Sequence, residues 1–301
     1  MKFLTAAFLL LFAAIPAHSS TCAENAKPVR PELPNEVAVK YSRDLELAAR
    51  TYAEEPSADN LIWYARRKGY LGHYNDAIDA LTIGLAKYPN DARILRHRGH
   101  RYITLRCFDD AVRDFEAAAK LIKGKPDEVE PDGLPNAKNI PTSTLQSNIW
   151  YHLGLAYYLK GDFKNALRAY KQAQKVSKNN DMRVATAYWH YMTLRRMGNK
   201  RDADNVLKPF VGEIELIENT DYLKLIKLNR GEARAEDLLT SIRGEADTLG
   251  SASLGYGIGN YFLYNGDREK AVAVFKKIVE GNQWASFGYI AAENEIKRTE
   301  K

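Results

Sequence analysis

The sequence predicts an all-α fold, a solenoid of stacked helix hairpins, and three observations carry the prediction. Apolar residues recur at helical spacing along most of the chain, in paired faces separated by Gly-containing breaks. Landmarks of these pairs recur at a fixed period of about 34 residues: Ala111 stands one period after Ala77, and Ala271 two periods after Ala203. No stretch alternates apolar and polar residues as a half-buried strand would. Two short amphipathic helices in one hairpin cannot hide their apolar faces alone, so such units must stack on copies of themselves.

The clearest unit runs from Trp150 to Ala173. Trp150, Leu153, Gly154 and Tyr157 stand at i, i+3, i+4 and i+7, one face of a helix. Gly161 suits a left-handed C-cap, and Asp162 an N-cap for a second helix with face Phe163, Ala166, Tyr170 and Ala173. Gly154 and Ala166 are small enough to let two helix backbones approach. The order Trp-x2-Leu-Gly-x2-Tyr, then Ala166 and Tyr170, resembles the tetratricopeptide repeat. The resemblance spans Ala58 to Ile290. It implies a right-handed superhelical solenoid of tetratricopeptide helix hairpins that works as an adaptor, without catalysis of its own.

Residues 1–21 read as an export signal. Lys2 is followed by an apolar run, Phe3 to Ile15, too short for a membrane span, then by the small-x-small triplet Ala17-His18-Ser19. The expected location is periplasmic or secreted. Residues 22–41, with Pro28, Pro31 and Pro34 and no periodicity, read as a Pro-rich tether. Cys22, directly after the signal, is a candidate for lipidation, although Ser19-Ser20-Thr21 departs from the usual lipobox. A Cys22–Cys107 disulfide and two free thiols are the alternatives. Residues 42–56, with Leu45, Ala48, Ala49 and Tyr52, predict a lone helix capping the solenoid.

Two repeats occupy residues 58–122. Ala166 then follows Ala111 by well over one period, and the excess is an insertion at 123–147. It carries Pro126, Pro131, Pro135 and Pro141 with Asp127, Glu128, Glu130 and Asp132. Loops of this length are functional or disordered. A solvated loop is expected here, with a lid over a binding face as the alternative. Repeats three and four span 147–212, a degenerate hairpin 213–250, and the last repeat 251–283. Residues 284–301 predict a capping helix with Glu293, Glu295, Lys297 and Arg298 on a polar outer face. This order, with a Tyr-Leu-rich hairpin before the final repeat, is similar to that of periplasmic adaptor lipoproteins built from such repeats.

A chain of 301 residues with 45% hydrophobic content can bury a sizeable core. Its net charge of +6 falls far short of a dedicated nucleic-acid binder, so no nucleic-acid partner is expected. His97 and His100 lie one turn apart, but Arg93, Arg96, Arg98 and Arg101 surround them with a positive field that opposes a metal ion. Cys107 has no identifiable base partner for nucleophilic work. Gly255, Gly257 and Gly259 follow no strand, which excludes a dinucleotide fingerprint. No cofactor, metal site or catalytic residue is predicted.

In the family that the sequence resembles, the first helix of each hairpin lines a concave groove. The residues projected there are Trp63, Arg66 and Tyr70, then Arg93, Arg96, His97 and His100. Asn148, Tyr151 and His152 follow, then Tyr188, Trp189 and Arg195. The set is aromatic and basic, without a carboxylate. Such a surface suits an extended, acidic or C-terminal peptide segment, since Arg can hold a carboxylate through two parallel hydrogen bonds. Packing in the seams between repeats is the alternative for each aromatic. Ile62 and Arg66 stand where the carboxylate clamp of chaperone-binding repeats needs a cation and an Asn, so that activity is not implied. The expected function is an exported scaffold for envelope proteins, reaching a membrane only through Cys22. The alternative is a glycan or cell-wall-fragment receptor using the same aromatics.

Overall fold

Polar caps decide where most of these helices begin. The computed structural model describes residues 20–244 and 249–299, so residues 1–21, expected to be an export signal, lie outside the described residues but for the last two positions. In chain order the helices are α1 (Thr21–Asn25), α2 (Asn35–Glu54), α3 (Ala58–Tyr70), α4 (Tyr74–Lys87), α5 (Ala92–Thr104) and α6 (Phe108–Leu121). After the insertion come α7 (Leu145–Lys160), α8 (Phe163–Val176), α9 (Asn180–Arg196) and α10 (Lys200–Leu207). The chain ends with α11 (Thr220–Asn229), α12 (Ala235–Gly244), α13 (Leu249–Tyr264), α14 (Arg268–Val279) and α15 (Phe287–Thr299). Ser57, Asp91, Asp162, Asn179 and Asp267 each accept a hydrogen bond from a backbone N–H in the first turn of the helix that follows. Thr144 and Ser147 close a reciprocal capping box at the start of α7. Gly161 ends that helix at φ +86°, the left-handed cap expected of it.

Hairpins α3/α4, α5/α6, α7/α8, α9/α10 and α13/α14 stack in sequence, and α11 packs on α9 and α13. On α5, α7 and α13 a glycine receives a ring from the second helix of the hairpin: a Cβ at Gly99, Gly154 or Gly259 would stand 2.9, 2.7 or 2.3 Å from the ring of Phe115, Tyr170 or Phe275. Several buried tyrosines hydrogen-bond to one another, whereas the Tyr170 hydroxyl is buried without a partner. Tyr222 Oη meets Tyr151 Oη at 3.1 Å and accepts from Trp189 Nε1 at 3.1 Å, while Tyr256 Oη donates to Tyr158 Oη at 2.9 Å. No strand occurs among the described residues beyond one antiparallel bridge, Val129 to Thr144. No helix among them is long and apolar enough to cross a membrane.

Both ends of the chain depart from expectation. The tether is not free: Cys22 is disulfide-bonded to Cys107, Ala23 is 1% exposed, and Asn75 Nδ2 donates to the Ala23 carbonyl at 3.2 Å. The lipid-anchor reading of Cys22 is thereby corrected, because a sulfur bonded to Cys107 has no thiol left to form a thioether. The lone helix starts at Asn35 rather than 42. Pro34 supplies a fixed φ of −54° at its N-cap, and Tyr41, assigned to the tether, packs its ring 5.9 Å from Tyr70. Residues 26–34 form a strap whose Pro31 lies against the Gly72 turn, leaving no room for a Cβ there. At the other end, Glu295 was expected on an outer face and is 1% exposed, because α15 turns inward onto the first helices of the hairpins.

The disulfide spans 85 residues, so it removes loop entropy from the unfolded chain. Reduction, or Cys22→Ser, should lower the unfolding free energy by about 2–4 kcal/mol. Urea titrations with and without reductant test this, and coincident midpoints would rule it out.

Candidate interaction groove and the segments that fill it

The first helices α3, α5, α7, α9 and α13 present one face, and two segments of the same chain lie on it. The first is the insertion. Residues 127–130 zip against 142–146: Leu145 N donates to Glu128 O at 2.8 Å, Glu130 N to Ser143 O at 3.1 Å, and Gln146 N to Asp127 Oδ1 at 3.0 Å. This places Glu130 over α5 and α7. One carboxylate oxygen lies 3.0 Å from Arg96 Nη2 and 3.3 Å from His97 Nε2, and the other accepts from Asn148 Nδ2 at 2.9 Å. Beyond it, the carbonyl of Pro131 accepts from Arg66 at 2.9 Å and that of Gly133 from Arg67 at 3.3 Å. Gly133 lies so close to the Tyr70 hydroxyl that a Cβ would not fit between them. Residues 130–133 of the loop thus pack on the groove, whereas 123–129 and 137–141 are exposed as expected of a solvated loop, and the groove does hold a carboxylate. Charge neutralisation of buried arginines is the physical reason for both corrections.

The second segment is α15 with its approach. Trp284 stacks on Tyr74 at 6.0 Å and carries the Arg106 guanidinium 3.7 Å from its ring centroid. Phe287 meets His100 and His152 edge-on at 5.2 and 5.4 Å. Glu295 pairs with Arg196 at 2.8 Å and Arg298 at 2.7 Å, and Arg298 donates to the Leu159 carbonyl at the end of α7.

The expected groove residues divide into three groups. Arg66, Tyr70, Arg96, His97 and His100 come together around one cavity of about 200 Å³, with Asn148 and His152 close by. Tyr151, Tyr188 and Trp189 pack in the seams instead. Trp189 is 2% exposed and stacks on Tyr256, and Tyr188 Oη donates to the Gly257 carbonyl. Arg93, Arg195 and Trp63 are engaged separately. Arg93 pairs with Asp91 and Asp59, and Arg195 donates to Tyr191 Oη and the Tyr264 carbonyl. Half-buried Trp63 carries the Arg66 guanidinium 4.4 Å from its ring centroid. These enclosed rings leave little for a glycan to stack on. Sequence reasoning missed Glu130, Phe287 and Glu295 as groove residues; a cluster of acids beside a run of arginines was the one available signal.

Burial, reinforced by the neighbouring arginines, holds His97 and His100 well below the usual histidine range and takes His152 down to about 3. All three rings are neutral at pH 7. Arg96 has only hydrogens to give to His97 Nδ1, 3.1 Å away, so the ring proton sits on Nε2, facing Glu130. Burial also pulls Arg101 down to about 10, still protonated. Charged guanidiniums among neutral imidazoles suit anions rather than metal ions. Cys22, Cys107 and Asp110 cluster at metal-ligand distance, but the two sulfurs are bonded to each other.

The tetratricopeptide repeat family model matches residues 147–180, which take in nearly all of α7 and the whole of α8. No curated protein sequence matches the chain, and the likeness to adaptor lipoproteins rests on repeat order alone. Among solved structures, YrrB, described as a TPR protein with an unusual peptide-binding site, is 15% identical. That match covers 84% of this chain and 99% of YrrB with a TM-score of 0.44. A tetratricopeptide repeat protein from Parabacteroides merdae is 16% identical, covering 88% of this chain and 97% of that one with a TM-score of 0.49. MamA is 18% identical, covering 73% of this chain and 88% of that one with a TM-score of 0.41. Residues 147–180 thus match one full tetratricopeptide repeat, and helix pairs stack on either side of them as the repeats of such a solenoid do, a fold that serves as a protein-interaction scaffold.

Proposed function

We propose that the chain is an exported scaffold that captures extended acidic segments of envelope proteins on the face of its first helices, without catalysis of its own. The insertion carries this reading. Its residues 130–133 cross α3, α5 and α7 as a bound peptide would, with two backbone carbonyls on Arg66 and Arg67 and one carboxylate on Arg96 and Asn148. A partner segment with the same chemistry would compete for the same donors. The disulfide supports export, since such bonds persist in oxidising compartments.

A synthetic peptide copying residues 126–134, added in trans, tests the reading. Glu130→Ala should bind it about tenfold more tightly than the parent chain, because the competitor in cis is weakened, and Arg96→Gln should lose it. Equal affinity in all three proteins would defeat the proposal. A chain recovered from the cytoplasm with Cys107 reduced would defeat the export part alone.

A further inference from the structure

The cavity of about 200 Å³ bounded by Arg66, Arg96 and Arg101 adjoins a second of about 400 Å³, and Tyr70 and Arg101 wall both. The first is cationic. The second is lined mainly by apolar and aromatic side chains, among them Leu33, Tyr41, Tyr74 and Trp284. Its edge carries Val29 and Leu134, which are 52% and 51% exposed although large and apolar.

The charges around this pair of cavities do not balance. Arg67 is matched by Asp44 and Arg106 by Glu293. Glu130 answers Arg96, and Asp132 lies near Arg66 with one carboxylate oxygen buried and unpartnered. Arg101 meets no carboxylate among the described residues. Its guanidinium hydrogen-bonds to His100 Nδ1, lies over the Tyr74 ring and rests against Gly69. Arg96 Nε is likewise buried without a partner. Glu32, the acid on the wall of the second cavity, is exposed to solvent. One partly buried positive charge is therefore left over, next to a mainly apolar chamber.

We propose that these adjoining cavities form a binding site for a small amphipathic monoanion, a carboxylate on an apolar body. The carboxylate would take the free hydrogens of Arg101 and Arg96, and the body would lie among Leu33, Tyr41, Tyr74 and Trp284. A largely buried guanidinium without an acid is costly until an anion pairs with it, and a mainly apolar chamber beside it strengthens that pairing. The enclosure favours a free acid over a protein segment. The strap is held by the Cys22–Cys107 bond, residues 282–286 close one side, and Gly133 closes over Tyr70. Sites of this volume take small molecules, whereas an extended peptide needs an open trough.

Calorimetric titration of the full mature chain tests the site with octanoate and 4-phenylbutyrate, their primary amides, acetate, and an extended peptide ending in a free phenylalanine. The two acids should bind, with the amides and acetate weaker by about tenfold or more, since each lacks the charge or the body. Arg101→Met keeps the stem packed and removes the charge. It should weaken both acids by about tenfold or more while the ligand-free melting temperature stays level or rises. Leu134→Trp, at the exposed edge, should narrow the mouth and weaken 4-phenylbutyrate without unfolding the chain. The proposal fails if the amides match the acids, if neither acid binds at millimolar concentration, or if the peptide binds more tightly than the free acids. It also fails if Arg101→Met melts several degrees lower with affinity intact, or if Leu134→Trp binds as the parent does.

Discussion

Glu295→Ala should cost about 3–5 kcal/mol of unfolding free energy, because it leaves two partly buried guanidiniums without their shared anion. Glu295 is 1% exposed and holds Arg196 of α9 at 2.8 Å and Arg298 at 2.7 Å, with Tyr256 Oη at 3.3 Å. Arg298 in turn donates to the Tyr158 and Leu159 carbonyls that end α7. The carboxylate is thus the junction through which α15 is fastened to three other helices. Urea unfolding measures the loss, and proteolytic cleavage within α15 should become faster in the variant. A midpoint equal to that of the parent would mean that Phe287 and Trp284 hold the helix without Glu295.

Acidification from pH 7.5 to 5 should remove about 4 kcal/mol through His152 and His190 together, about 2 kcal/mol each. Burial, with Arg96 adding to it, takes His152 down to about 3 against a hydrogen bond to the Asn148 carbonyl that raises it. Burial, then Lys171, takes His190 to about 4, and neither of its ring nitrogens has a partner. A folded pKa below the unfolded value near 6.5 means that the unfolded chain takes up the proton first. The stability is therefore complete above pH 6.5 and falls as the pH drops toward the folded values. His97 and His100 act in the same direction, their pKa values also being held down by burial. His190→Leu should lose about half as much over this range as the parent loses through the two rings, since an apolar side chain replaces a ring that makes no hydrogen bond. A parent protein equally stable at both pH values would show that these rings are protonated in the fold.

The all-α solenoid was legible because its signals are local. Gly161 and Asp162 act within one turn of the helices they end and begin, and Gly154 meets Tyr170 within the same hairpin. A period of about 34 residues records a unit that contacts mainly its neighbours, so one well-formed copy and its period specify the stack. The possibility of a Cys22–Cys107 bond was legible too, since a chain with only two cysteines admits few fates for them.

What occupies the groove was not legible, for a different reason. Helical spacing presents Tyr151 and Trp189 alike whether the next surface is a partner or the adjacent repeat, and only the observed packing assigned them to seams. Glu130 reaches back to Arg96 across the whole of α6, and Glu295 reaches Arg196 across a sequence separation of 99. Neither periodicity nor composition encodes such pairings, because they depend on how far the stacked hairpins curve and on where a long loop returns. The sequence by itself determined the repeating unit and its caps, which short-range sterics and hydrogen bonds settle within a hairpin. Only the tertiary structure decided that the chain covers its own first helices, because that arrangement is set by buried charges that must find partners wherever the curvature of the solenoid brings them.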